Sequence, residues 1–246
     1  MKRLSWKVRL SLGLLLLSAA LYGAHYLIYR DAKHIFIYLL GDIAFIPVDV
    51  LLVMLVIHGV ITAHDKKLMR KKLNMVFGAF FSEAGTELLR QFSACDPRLD
   101  ELRAHLVMSK DWTDKEFLAV RQRLAHHTVS ADASRADLGK LRAFLLAKRE
   151  FLLRLLENPN LLEHEEFTNL LWSVFHLGEE LAARQQVAQL PAKDLEHLSG
   201  DITRAYGLLL GEWVSYMRHL RKEYPFLFSL AMRTNPFDAA ASAVVR

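Results

Sequence analysis

The chain has 246 residues, of which 52% are apolar, 24% are charged and one is cysteine, with a formal net charge of +5 at pH 7. That composition excludes a disordered chain, which lacks the apolar content for a core, and a disulfide-built secreted module, which needs paired cysteines. The basic residues form no single stripe with interleaved aromatics, so a nucleic-acid surface is not expected either.

The apolar excess lies at the start of the chain. Residues 10–29, LSLGLLLLSAALYGAHYLIY, carry no formal charge and, as a helix at 1.5 Å per residue, reach across a hydrocarbon core of roughly 30 Å. A cleavable signal peptide would also follow a basic stretch. Its apolar region is usually shorter, however, and a small-x-small cleavage site should follow, where this chain has Tyr26, Leu27, Ile28 and Tyr29. A second apolar stretch occupies 35–62, with only Arg30 to His34 between the two. So short a connection predicts an antiparallel transmembrane hairpin over residues 1–64.

Orientation follows from the basic residues. Lys2, Arg3, Lys7 and Arg9 precede the first span and Lys66, Lys67, Arg70, Lys71 and Lys72 follow the second, against Arg30 and Lys33 in the turn. This predicts a multi-pass protein of a bacterial inner membrane with both termini cytoplasmic. The cluster after the second span is expected at the membrane surface.

The second span holds Asp42, Pro47 and Asp49, and ionised carboxylates at membrane depth are expensive unless paired, hydrated or protonated. Asp42 and Asp49, seven residues apart, project from nearly the same helix face, while Pro47 is expected to kink the helix between them. His25 is expected at a depth similar to Asp42, where the two would pair. Three readings stay open: hydration or interhelical hydrogen bonding, oligomer packing, and an ion pathway.

Residues 65–246 show helical periodicity and no strand or hairpin signal. Asp96 and Pro97 predict a helix start, running to about residue 108. Thr113 to Glu116, TDKE, is a capping box. After the polar linker 130–135, Asp137 caps a helix whose Leu138, Leu141, Leu145, Leu152 and Leu155 recur in steps of three and four or their sums. Pro159 ends that helix. Further helices are predicted over roughly 161–189 and 194–224, the last stopped by Pro225, giving an all-α fold in which a two-helix hairpin precedes a cytoplasmic helical bundle. Trp172, Phe175, Trp213, Tyr216 and Met217 are expected in its core. The apolar start of the tail needs cover from the bundle, the membrane or another subunit.

Eleven histidines invite a metal reading, for which His164, His176 and Glu179 are the residues to consider, along with the pair Asp194 and His197. Carboxylate-bridged dimetal bundles use Glu-x-x-His, which does not occur here, so no metal and no cofactor is expected. The phosphate-binding, dinucleotide, nucleophile-elbow and zinc-protease motifs are missing as well, and no catalytic residue or enzymatic activity is expected. Cys95 reads as an inert thiol.

The segments NLLWSVFHLGEELAAR, DLEHLSGDITRAYGLLLGEWVSYMRHL, EYPFLFSLAMRTNPFD and GDIAFIPVDVLLV resemble parts of an uncharacterised family of bacterial two-span inner-membrane proteins with a cytoplasmic helical domain. That resemblance covers most of the chain and implies no known activity. The expected function is that of a membrane-anchored, non-enzymatic interaction or scaffold protein, forming a homo-oligomer and offering its cytoplasmic helices to a protein partner. The rival expectations are an oligomeric ion channel using the intramembrane aspartates and a metal-binding bundle enzyme.

Overall fold

The computed structural model describes residues 6–126 and 129–245, with the side chains of all but 57–72 and 162–163 among them. The side chains of Lys66, Lys67, Arg70, Lys71 and Lys72 therefore lie outside the described set, as do Lys2, Arg3 and His127. Among the described residues every regular element is helical, so the fold is all-α. The chain divides into two compact units, Met1–Lys66 and Lys67–Arg246.

Helix α1 (Trp6–Tyr29) is 24 residues long and buries none of them. It ends where Arg30 takes a φ of 50°, its N–H bonded to the Tyr26 carbonyl at 2.8 Å. Helix α2 (Ala32–Phe80) starts at once, capped by Asp31 Oδ1, which accepts the His34 N–H at 3.2 Å. Trp6–Tyr29 and Ala32–Val56 are both long and apolar enough to cross a membrane. Pro47 lies within α2, which continues past it.

The reversal corrects the expected pairing of His25 with Asp42. With only two residues between the helices, a residue five before the turn meets one about five after it. The His25 ring accordingly packs against Tyr29 and His34, with ring centres 4.8 and 5.9 Å away. Asp42 lies well beyond that level, and its side chain and that of Asp49 are exposed with no bonding partner among the described residues.

In the second unit the end of α2 passes into a π-helical turn, Phe81–Gly85, and then α3 (Thr86–Ala94). Asp96 Oδ1 accepts the Arg98 N–H at 2.8 Å in a local turn, so α4 spans only Leu99–Leu106 and has no side-chain cap, a later start than the Asp-Pro signal predicts. Helix α5 (Asp114–His126) begins at the capping box, where Glu116 accepts the Thr113 N–H. Asp137 caps α6 (Leu138–Leu156) through the Lys140 N–H, and all five predicted leucines are buried.

The predicted helix over 161–189 is shorter at both ends. Asn158 and Pro159 start a 3₁₀ turn, Pro159–Glu163, so α7 is Glu165–Ala183, and Arg184 leaves the helix in an extended conformation. Helix α8 (Ala192–Glu223) packs against α3, α5, α7 and the tail, and buries residues on several faces, including Leu198, Ile202, Tyr206, Leu209, Trp213 and Met217. Pro225 ends α8 but also opens α9 (Pro225–Arg233), which sequence periodicity did not announce, because proline at the first helical position is as compatible with a start as with a stop. The bundle itself covers part of the tail. Phe228 and Phe237 are buried, and the buried Asn235 donates to the Leu106 carbonyl at 2.8 Å. Trp172 is not core as expected: it is 56% exposed, while Phe175, three residues along α7, is buried.

Gly85 lies where the π turn brings two rings against the backbone. A Cβ there would stand 2.6 Å from Phe81 Cδ1 and 2.9 Å from Phe80 Cε1, both rings being buried. Replacing glycine by alanine inside a helix normally stabilises by roughly 0.5–1 kcal/mol. Gly85→Ala should instead destabilise by about 1–3 kcal/mol through overpacking, read as a lower thermal midpoint of the purified protein; a midpoint equal to or above wild type would refute the crowding.

Candidate functional site

Two groups of titratable side chains sit on α8, one facing the C-terminal half of α7 and one facing its N-terminus. The first contains His176 and Glu180 of α7 with His197 and Asp201 of α8. His176 and Glu180 share a face one helical turn apart, as do His197 and Asp201, and the α7–α8 packing sets the pairs opposite each other. Asp201 Oδ2 lies 3.4 Å from His197 Nε2 and 3.8 Å from His176 Nε2. The Glu180 carboxylate lies 3.5 Å from His197 Nε2 through one oxygen and 3.8 Å from His176 Nε2 through the other.

Arginines also engage these carboxylates, Arg204 on the Asp201 oxygen turned from the imidazoles and Arg184 on the Glu180 oxygen that faces His197. Arg184 donates to Glu180 at 2.7 Å and to both oxygens of Asp194 at 2.7 and 2.9 Å, and its hydrogen bonds keep both carboxyls below the usual carboxylate range. Arg204 donates to Asp201 Oδ1 at 3.2 Å. Asp201 is only 4% exposed, and its Oδ2 accepts no hydrogen bond. Among the described residues, as they stand in the structure, no three His, Cys, Asp or Glu side chains are gathered as a bound metal ion would need them.

The sequence-predicted metal residues are only partly brought together. His176 belongs to the group, but its companion is Glu180 rather than Glu179, which points away and lies 3.8 Å from Arg149. His164 is elsewhere: it caps α7, its Nδ1 accepting the Phe167 N–H at 3.2 Å. The i, i+4 spacings of His176 with Glu180 and His197 with Asp201 were readable in the sequence. The crossing that joins them was not.

The second group centres on Glu212, a glutamate only 3% exposed. Burial pushes its carboxyl up to about 7, and the neighbouring Glu166 carboxylate adds to the rise while Arg121 opposes it. Arg121 of α5 is engaged with Glu166 at 2.6 Å. His164 Nδ1 is 4.0 Å from Glu212 Oε1, but that nitrogen already accepts the Phe167 N–H and so carries no proton for the glutamate. The His164 ring is fixed edge-on to Phe77, at 5.0 Å between ring centres. Sequence reasoning missed Glu212, because nothing in GEWVSY distinguishes a buried glutamate from a solvated one.

Two family models match this chain. One, described as the MJ1433 N-terminal helical domain, matches residues 2–61, and one described as the C-terminal helical domain of uncharacterized protein MJ1433 matches residues 69–233. The chain belongs to this family. Uncharacterized protein MJ1433 of Methanocaldococcus jannaschii is 43% identical over 229 residues, which cover 93% of this chain and 92% of the relative. That relative is archaeal, so family membership does not carry the bacterial origin expected above. No solved structure matches.

Glu212 sets a pH dependence whose sign can be worked out. Below about pH 4.5 both folded and unfolded chains hold the proton; between 4.5 and about 7 the unfolded chain releases it and the folded chain does not. Glu212 therefore subtracts stability as pH rises through that window, by on the order of 3 kcal/mol once pH exceeds 7. In Glu212→Gln, thermal midpoints followed from pH 5 to 8 should fall less steeply than in wild type. Parallel profiles would show that Glu212 is ionised in the folded protein.

Proposed function

We propose that this member of the MJ1433 family is a non-enzymatic protein of the cell membrane, anchored by an α1–α2 hairpin with both termini cytoplasmic, that assembles with further copies of itself and presents its helical domain to a cytoplasmic partner. The observation that carries this reading is the exposure of the hairpin. No residue of α1 is buried, and the described side chains of α2 before Val56 are all exposed or half-covered, although nearly all are apolar. Such surfaces are stable in lipid and unstable in water.

Self-association follows from the carboxylates. The chain offers Asp42 and Asp49 no partner among the described residues, and a carboxylate near mid-membrane costs about 2.5–3.5 kcal/mol on insertion scales. A neighbouring hairpin supplies both a polar contact and shielding from lipid. The second unit adds apolar surface for a partner, in the exposed Trp172 on α7 and in Phe226, Leu227 and Leu230 on α9. An oligomeric ion conduit draws on the same two aspartates and differs in requiring water along α2.

Crosslinking in native membranes should yield dimers or larger species, and Asp49→Leu should reduce them; a wild-type protein that crosslinks only as a monomer would end the self-association reading. Proton or cation flux through reconstituted protein that disappears in Asp49→Asn would favour the conduit instead.

A further inference from the structure

The π-turn Phe81–Gly85, α3, α8 and α9 leave a groove of about 520 Å³ between them, within the roughly 300–1,000 Å³ of small-molecule sites. Phe81, Met217, Leu220, Leu227 and Leu230 give it apolar walls. Leu227 and Leu230 are 41% and 45% exposed and form its lip, while Phe81 and Met217 are buried beneath. Trp213 and Tyr216 line it as well, and neither the indole N–H nor the hydroxyl is bonded to a described residue, although Trp213 is only 3% exposed. A buried indole N–H ordinarily finds an acceptor. Neither of these two polar atoms is sealed from solvent, and the groove is the space that both residues border. Arg90, also in the lining, is loosely held: its guanidinium lies 3.4 Å from Glu87 and 3.4 Å from the Thr234 carbonyl, both long for charge-assisted hydrogen bonds. Glu87 keeps Gln91 at 3.0 Å and Lys140 at 3.3 Å if Arg90 turns away.

We propose that this groove binds a single-chain amphiphile with a carboxylate head, its chain lying against Phe81, Met217 and Leu220 and its head taken by Arg90. The guanidinium presents paired N–H donors that match a carboxylate, and Trp213 and Tyr216 supply two more donors for an oxygen that enters beside them. Thickness decides against a peptide occupant. An α-helix with its side chains is about 10–12 Å across, so two turns of it sweep roughly 1,000 Å³ and would ride on the lip rather than enter. An extended peptide would bring backbone N–H and C=O groups against walls that hold no partner for most of them. An alkyl chain has no such requirement, and its transfer from water onto Phe81, Met217 and Leu220 is favourable along its whole length. The inference goes beyond the scaffold reading and stands apart from the membrane reading, since every residue of the groove lies in the second unit.

The experiment is photolabelling of the full-length protein, mixed with phosphatidylcholine vesicles that contain a diazirine-bearing palmitic acid, with the adducts mapped by mass spectrometry after digestion. Adducts are expected on residues 78–90, 213–220 and 227–231, and an excess of unlabelled palmitic acid should suppress them. Adducts on residues 10–29 and 35–56 report the hairpin's contact with lipid separately, so either result stands without the other. Leu230 and Arg90 are exposed, and Leu230→Trp and Arg90→Gln should keep the helical circular dichroism of wild type. Leu230→Trp, which fills the lip, should lower groove labelling about tenfold. Arg90→Gln should lower it by about as much for the acid and leave labelling by the corresponding diazirine-bearing alcohol unchanged, since a hydrogen bond to a charged group is worth roughly one factor of ten or more. Adducts confined to the hairpin, or groove adducts that both variants retain in full, would overturn the site. Labelling of the exposed Phe226 without Phe81 or Met217 would mark α9 lying on the bilayer surface and would overturn it too.

Discussion

Burial of α8 is the constraint on which the second unit depends. Its 32 residues carry apolar side chains on several faces, so one partner helix cannot cover it, and α3, α5, α7 and α9 are all drawn against it. Fully burying a leucine- or methionine-sized side chain is worth roughly 1.5–3 kcal/mol. The stripe from Leu198 through Met217 to Leu220 is therefore the strongest local reason for the helices to gather as they do.

That same requirement takes polar groups inside with the apolar ones. Asp201, Tyr206 and Glu212 lie among the buried positions of α8, and each meets burial differently. Asp201 lies beside Arg204, which donates to its Oδ1, and the His197 imidazole. Burial raises the proton affinity of Glu212, and the Glu166 carboxylate adds to the rise. The Tyr206 hydroxyl makes no hydrogen bond, and burial raises its pKa, with Asp96 adding to the effect. Three polar side chains on one helix thus acquire three chemistries from the elements packed over them, because inside a protein a neighbour's charge is only weakly screened.

The hairpin presents a different kind of surface. In α1 and the first half of α2 apolar side chains surround the helix, which is the arrangement lipid favours and water opposes. Its polar residues then stand out by position. His25 and His34 meet beside the turn, whereas Asp42 and Asp49 have no bonding partner among the described residues. Among the described residues the two units thus differ: the helical domain holds unbonded polar atoms in its interior, and the hairpin carries unpaired carboxylates on its exposed surface.

The sequence by itself determined what depends on neighbours along the chain. Helical periodicity placed Leu138, Leu141, Leu145, Leu152 and Leu155 in the core, Asp137 and the TDKE box marked helix starts, and two long, mainly apolar stretches marked α1 and the first part of α2. Proline was legible as a break but not as the start of α9, because its ring fits the first turn of a helix as well as it disrupts the interior. Tertiary structure alone decided that His176 keeps company with Glu180, His197 and Asp201, that His164 is a cap, that Trp172 faces outward and that Glu212 is buried. Those outcomes turn on which helix lies across which. A crossing is fixed by the summed packing of many side chains, so the spacing of any few residues along the chain carries too little information to reveal it.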